Sequence, residues 1–214
     1  MTTPRGAEPT NAWAVSLLFR VWSRVYDHPL PQRLYYRRIH HRIARRWRPS
    51  PGERVLDVGC GTGLFLKSLA ADHGALPGLA LTGLDLSEHM LEQARHAGAP
   101  ASAAHPAPTF VQGSVYAMPF ADGAFDVIVN TISCHFYLEQ VRAFREIHRV
   151  LAPGGRFFCA AITFGPVGAS VAGVAVYHPP RVLAAHLREA GFELVGEERV
   201  RPGSVLFEAR RPLG

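Results

Sequence analysis

The 214-residue sequence predicts an α/β fold: a doubly wound, mostly parallel seven-stranded sheet whose last strand runs antiparallel, preceded by N-terminal helices. Three observations predict it. From Arg54 onward, short apolar or β-branched runs alternate with helical stretches, which requires right-handed crossovers and helices on both faces of a parallel sheet. Pro49-Ser-Pro-Gly52 separates this alternation from a purely helical N-terminal segment. The last two apolar runs are joined by Arg201-Pro-Gly203 alone, short enough for a hairpin.

After a tail rich in Pro, Thr and Gly, residues 13–27 carry Ser16, Arg20, Arg24 and Asp27 at helical spacing among Trp13, Leu17, Leu18, Val21, Trp22 and Val25. A second helix, residues 31–47, opens on Pro31, suited to a first helical turn, and sets Leu34, Tyr35, Ile39, Ile43 and Trp47 against arginines. Its apolar face is expected to pack on the core and its arginines to point outward. Strands are expected at residues 54–58, 80–85, 109–112, 125–130 and 156–163, with helices at 64–72, 87–97 and 137–150 between them. A helix at 180–190 and strands at 192–199 and 204–211 close the chain. Residues 1–50 are read as a helical lid belonging to the same domain as residues 51–214.

Composition bounds the function. Hydrophobic residues make up 48% and charged residues 19%, ordinary for a soluble globular domain. The longest apolar run near the N-terminus, residues 13–19, is interrupted by Ser16 and closed by Arg20, too short to span a bilayer, and no signal-peptide pattern is visible. Cys60, Cys134 and Cys159 have no metal-type spacing, so no metal is expected, and their odd number suits a reducing, cytoplasmic location. Residues 1–50 hold ten arginines against Glu8 and Asp27, whereas the remainder is slightly acidic, so the basicity belongs to the N-terminal segment.

The chemistry centres on Val55-Leu-Asp-Val-Gly-Cys-Gly-Thr-Gly63. A dinucleotide turn needs G-x-G-x-x-G, and counting from Gly59 the third glycine would fall on Leu64. What stands here is Asp57, Gly59, Gly61 and Gly63 at alternate positions. A carboxylate two residues before the first glycine repels an anionic ligand and suits one carrying an ammonium.

Further along, Leu81-Thr-Gly-Leu-Asp85-Leu-Ser-Glu-His-Met-Leu91 ends a strand on an acid. Phe110-Val-Gln-Gly-Ser-Val-Tyr-Ala-Met-Pro-Phe120 precedes Asp122-Gly-Ala-Phe-Asp126-Val-Ile-Val, and Arg149-Val-Leu-Ala-Pro-Gly-Gly-Arg156 turns into another strand. With these motifs in this order, residues 50–212 resemble the class I S-adenosylmethionine-dependent methyltransferases, in the group that includes the ubiquinone and menaquinone methyltransferases. The resemblance implies a Rossmann-like sheet and S-adenosylmethionine as cofactor, with S-adenosylhomocysteine as product. It also implies cofactor-binding roles. Gly59, Gly61 and Gly63 would approach the methionine part and Asp57 its amino group. Asp85 would take the ribose hydroxyls, and Leu86, Ser114 and Val115 the adenine side. Asn130 and Tyr26 complete the implied set. Ser114 departs from the family, which often has Asp there; a hydroxyl meets the adenine amine less strongly.

His135 is the candidate catalytic base, because Asn130-Thr-Ile-Ser-Cys-His-Phe-Tyr137 leaves the C-terminal end of the fourth strand, where the methyl group should lie. A lone histidine there also suits lining a pocket or capping the next helix. Tyr26, Tyr137 and His178 are weaker candidates. Asp126 reads as structural, Cys60 as filler in the turn, Cys134 and Cys159 as buried, and Met90 as core. Residues 164–177, glycine-rich and uncharged, suit either the flank of an apolar pocket or a buried connection. An Asn-Pro-Pro-Tyr-like motif is absent after the fourth strand, which favours a small-molecule acceptor, apolar or aromatic, over nucleic acid or protein amide. Two alternatives remain open: a lipid or quinone methyltransferase making peripheral membrane contact through its basic helices, and a nucleic-acid-binding protein on a degenerate methyltransferase core. Oligomeric state leaves no trace in the sequence.

Overall fold

The computed structural model describes residues 36–73, 75–96, 107–163, 170–171 and 175–214. The expected first helix, Tyr26 and most of residues 164–177 lie outside these. In chain order the elements are α1 (Arg37–Arg46), β1 (Arg54–Val58), α2 (Leu64–His73), β2 (Ala80–Asp85), α3 (Glu88–His96), β3 (Thr109–Gln112) and β4 (Phe125–Thr131). They continue with α4 (Gln140–Val150), β5 (Leu151–Ile162), β6 (Ser170–Val171), β7 (Ala175–Val176), α5 (Pro180–Glu189), β8 (Glu193–Arg201) and β9 (Ser204–Arg210).

Seven strands form one sheet in the order β3-β2-β1-β4-β5-β9-β8. β9 runs antiparallel to both neighbours, while β1 to β5 pair in parallel, as the alternation and the short final turn predict. The direction in which strands are added reverses between β1 and β4. Open sheets of this kind bind ligands in the crevice at that reversal, outside the carboxyl ends of the strands.

Each face of the sheet has its own apolar layer. Ile39, Ile43 and Trp47 recur at helical spacing on α1 and pack with Phe65, Leu66 and Leu69 of α2 against Val55, Val127 and Val129. On the opposite face Phe144 and Ile147 of α4 and Leu183 and Leu187 of α5 meet Leu56, Ile128 and Phe157. The alternation along β1 therefore sends Asp57 to the α1–α2 side together with Val55, and Thr131 shares that side with Val127 and Val129. Met90 is buried at 1% exposure, and Cys60, Cys134 and Cys159 are buried, as read from the sequence. Asp126 is structural: Arg54 donates to both its oxygens, at 2.7 and 3.0 Å, tying the start of β1 to β4.

Three expectations change. The helix after β4 begins at Gln140, and residues 134–136 form a separate 3₁₀ turn, because the chain reverses at Ile132, which has φ 60°, and the Asn130 amide holds Ser133 and Tyr137. β5 begins at Leu151 instead of Arg156, with a bulge: Phe125 faces Leu151, but Val127 faces Arg156. Pro153 cannot donate to the ladder and Gly154 has φ 76°, so the strand buckles there and continues. Finally, not all arginines of α1 face water. Arg42 and Arg46 pair with Glu198 on β8, and Arg156 joins Glu208 at 2.9 Å, because the apolar face of α1 brings its flank over the sheet edge. The short β6–β7 hairpin also escaped the sequence reading, since its glycine-rich surroundings carry no alternation.

Candidate active site

At the reversal point the chain leaves β1 through residues 59–63. Gly59 has φ 72°, and its amide donates to the Leu84 carbonyl at 2.7 Å, pinning the turn to the end of β2. A Cβ at Gly59 would lie 2.3 Å from Ser133 Oγ. Gly59→Ala therefore combines a left-handed backbone with a clash, and is expected to cost about 2 kcal/mol or more in urea unfolding.

Asp85 braces the same turn. Its Oδ2 accepts the Gly61 amide at 2.8 Å and its Oδ1 the Ser87 amide at 2.9 Å. Burial raises its carboxyl, and the amides of Ser87, Gly61 and Leu86 pull it back down. Each carboxylate oxygen has a further lone pair, so this group can hold the turn and still accept from a vicinal diol. Leu86 is half-buried beside it. Ser114 Oγ accepts the Tyr116 amide at 3.1 Å and so caps its own turn, and Val115 is buried in the apolar layer.

Asp57 is the unusual member. It is fully buried at 0% exposure, and neither carboxylate oxygen has a hydrogen-bond partner among the described residues. Burial first, and the Asp85 charge second, push it up to about 8. A buried carboxyl without partners is costly unless a cation or donor meets it. The group implied by the motifs supplies an ammonium and a sulfonium, so the residues present fit it. The raised value also sets the pH response of the protein without ligand. The folded state keeps the Asp57 proton up to about 8, whereas the unfolded chain loses it near the ordinary value, so stability falls as pH rises across that interval. His40 and His135, both lowered to about 4 by burial, oppose this only below their unfolded value of 6.5, where acid favours the unfolded chain. Between pH 6.5 and 8 Asp57 therefore dominates among these three. Thermal melts should show a loss on the order of 2 kcal/mol over that window, abolished in Asp57→Asn.

The other wall continues from β4. Asn130 Nδ2 lies 2.9 Å from the Val58 carbonyl, 2.6 Å from Ser133 Oγ and 2.7 Å from the Tyr137 hydroxyl, so its amide is spent inside the wall. Tyr137 is buried by the same contacts, and burial raises its phenol well above the ordinary range. Both side chains shape the turn that presents His135. That imidazole is 5% exposed, stacks on Tyr177 with ring centroids 5.5 Å apart, and has no hydrogen-bond partner for Nδ1 among the described residues. Burial lowers it to about 4, so it is neutral at physiological pH. His178 lies farther along, edge-on to His186, whose Nδ1 meets Gln140 Oε1 at 3.0 Å.

The sequence reading missed the α1 side. Tyr36, His40, Thr62 and Thr131 line a cleft beside the glycine turn. The available signals were the one-turn spacing of Tyr36 and His40 and the alternation that places Thr131 with Val127 and Val129. Among the described residues no group of three or more His, Cys, Asp or Glu is placed to hold a metal ion, and no helix is long and apolar enough to cross a membrane.

A glycine turn braced by the acid that ends β2, at the reversal point of a sheet in this strand order, agrees with the resemblance to the class I S-adenosylmethionine-dependent methyltransferases, and the chain is similar to proteins of that family. Residues 56–159 match the family described as "Methyltransferase domain". Over 158 residues the chain is 33% identical to the malonyl-[acyl-carrier protein] O-methyltransferase of Erwinia pyrifoliae, covering 74% of this chain and 55% of that one. It is 38% identical over 109 residues to the demethylmenaquinone methyltransferase of Symbiobacterium thermophilum, covering 51% and 42%. The chain thus spans about half the length of these curated relatives. A solved S-adenosylmethionine-dependent methyltransferase from Aquifex aeolicus shares the fold, with a TM-score of 0.71 and 18% identity over 89% of this chain and 97% of that one.

Proposed function

We propose that the protein transfers a methyl group from S-adenosylmethionine to a small apolar or aromatic metabolite. The observation that carries this reading is the pairing of Asp57 and Asp85 at the glycine turn with a buried, neutral His135 among aromatic rings on the adjoining wall. The first pair suits a cationic nucleoside. The second suits an apolar acceptor with a proton to lose.

In this reading Asp85 holds the ribose diol, Leu86, Ser114 and Val115 flank the adenine, and Gly59, Gly61 and Gly63 let the backbone approach the methionine part. When bound, the cofactor supplies an electrophilic methyl on a sulfonium that leaves as a neutral thioether. Alignment of acceptor and methyl in a dry site accounts for several kcal/mol of the barrier. For a hydroxyl or acidic-carbon acceptor, the His135 imidazole would take the acceptor's proton and so make it a better nucleophile toward the cofactor's methyl group. Burial makes that imidazole a weak base but keeps it unprotonated, so turnover should rise through about pH 4 and then level. Of the N-terminal segment read as a lid, the described part, α1, lies on the glycine-turn side of this site, where Tyr36 and His40 line the cleft.

Incubating the protein with S-adenosylmethionine and a metabolite extract, and searching by mass spectrometry for cofactor-dependent gain of one methyl, tests the reading. Gain on macromolecules alone would overturn the small-molecule acceptor. A lipid or quinone acceptor at a membrane surface is the second reading, favoured by the similarity to demethylmenaquinone methyltransferases and by the exposed Arg37, Arg38 and Arg45 on α1. Binding to anionic but not neutral vesicles, fading with salt, would select it.

A further inference from the structure

We propose that Gln140 and His186 are positioning residues for His135: together they clamp the turn that carries its imidazole and the ring on which that imidazole stacks. The inference rests on the reading of His135 as the base and concerns what holds it in place.

The first sign is a polar residue on an apolar stripe. Gln140, Ala143, Phe144 and Ile147 recur at helical spacing on the inward face of α4, and all four are buried, Gln140 at 4% exposure. A buried amide needs partners at both ends. Its Nε2 donates to the Cys134 carbonyl at 3.1 Å, and its Oε1 lies 3.0 Å from His186 Nδ1 on α5. The same carbonyl accepts the Tyr137 amide at 3.1 Å, so both its lone pairs are engaged and the turn at 134–136 is tied to α4 and, through Gln140, to α5.

The second sign approaches His135 from the other side. His186 meets the His178 ring edge-on with centroids 5.0 Å apart, and the residue before His178 is Tyr177, whose ring lies 14° from the plane of His135. The contacts close a circuit: from His135 to Tyr177, along the chain to His178, across to His186, then through Gln140 to Cys134 and along the chain back to His135. His186 is the post shared by both arms. One tie alone would let the imidazole swing, whereas two from opposite sides fix its plane as well as its position. Held this way the ring keeps Nδ1 enclosed, which leaves Nε2 as the nitrogen that can meet an acceptor. The arrangement also dictates a proton position on His186. The Gln140 oxygen only accepts, so His186 Nδ1 carries hydrogen, and the neutral ring keeps its lone pair on Nε2.

Three variants of the full chain test the clamp. Gln140→Met keeps most of the buried volume and removes both hydrogen bonds. His186→Phe keeps a ring against His178 and removes the donor, while His186→Asn sets an amide nitrogen as many bonds from the backbone as Nδ1 and removes the ring. With isotope-labelled histidine, proton–nitrogen correlation spectra of the rings are expected to show neutral His186 protonated on Nδ1, and Gln140→Met to return it to the Nε2 form. Carbethoxylation by diethyl pyrocarbonate, resolved by peptide mass, reads how firmly His135 is held. Its rate at His135 is expected to rise about fivefold in Gln140→Met and His186→Phe and to recover most of the way in His186→Asn, the remainder reporting the ring contact. Affinity for S-adenosylhomocysteine stays within about twofold in all three, since none of these contacts touches the glycine turn. A His186 proton on Nε2 in the unaltered protein, unchanged rates at His135, or no recovery in His186→Asn overturns the clamp. Full turnover in His135→Ala removes the base reading on which it rests but leaves these spectra and rates as they are, so the two failures are told apart.

Discussion

His135→Ala should lower turnover by a factor on the order of 10² while cofactor affinity stays within about twofold. The imidazole sits in the turn after β4, stacked on Tyr177, and none of its described contacts involves the glycine turn or Asp85. Single-turnover kinetics with excess cofactor separate the chemical step from binding. The pH profile adds a second readout. With His135 as base, the rate in the unaltered enzyme falls below about pH 4 as the ring is protonated, and the residual rate of the variant loses that limb. An amine acceptor that arrives deprotonated gives a different outcome: His135→Ala then retains nearly full turnover, and the residue's part is confined to packing on Tyr177 and Phe136.

Asp85→Ala should weaken S-adenosylhomocysteine by roughly 1.5–3 kcal/mol, the range for hydrogen bonds to a charged group. The loss has two sources, and a second variant separates them. The carboxylate accepts the Gly61 and Ser87 amides, so its removal also loosens the turn; Asp85→Asn keeps an acceptor for one of them but loses the charge. If the ribose contact dominates, a 2′-deoxy analogue binds the unaltered protein weakly and Asp85→Asn with little further loss. If the brace dominates, both variants lose affinity for every nucleoside equally and unfold at lower temperature. Unchanged affinity in both variants removes Asp85 from the site.

The two carboxylates differ in what a cation changes for them. Asp85 already has amide donors, whereas Asp57 has none among the described residues, so binding a cationic cofactor near pH 7 should release a proton from Asp57. Titrations in buffers of different ionisation enthalpy count it. Asp57→Asn should bring the count close to zero.

The sheet was legible in the sequence because its strands are short, apolar and separated by clear turns. β1, β2 and β3 fall on the expected residues 54–58, 80–85 and 109–112, and the hairpin at Arg201-Pro-Gly203 reverses β9. The turn residues Gly59 and Asp85 were legible too, since a tight turn against a strand end needs a glycine at a positive φ and an acceptor for its amides; Asp57 takes no part in that turn and was legible only through the motif. What local pattern could not reveal depends on which elements meet. The α1 arginines looked solvent-facing until the sheet edge brought Glu198 and Glu208 to Arg42 and Arg46. Asn130 looked available to a ligand, but the reversal at Ile132 folds Ser133 and Tyr137 back onto its amide. His40, more than ninety residues before Thr131, joins it in one cleft only because both α1 and the inward face of β4 cover the same side of the sheet. Periodicity reports which way a side chain points along its own element; burial, charge partners and the shape of a cleft are set by the second element, which the chain supplies from far away.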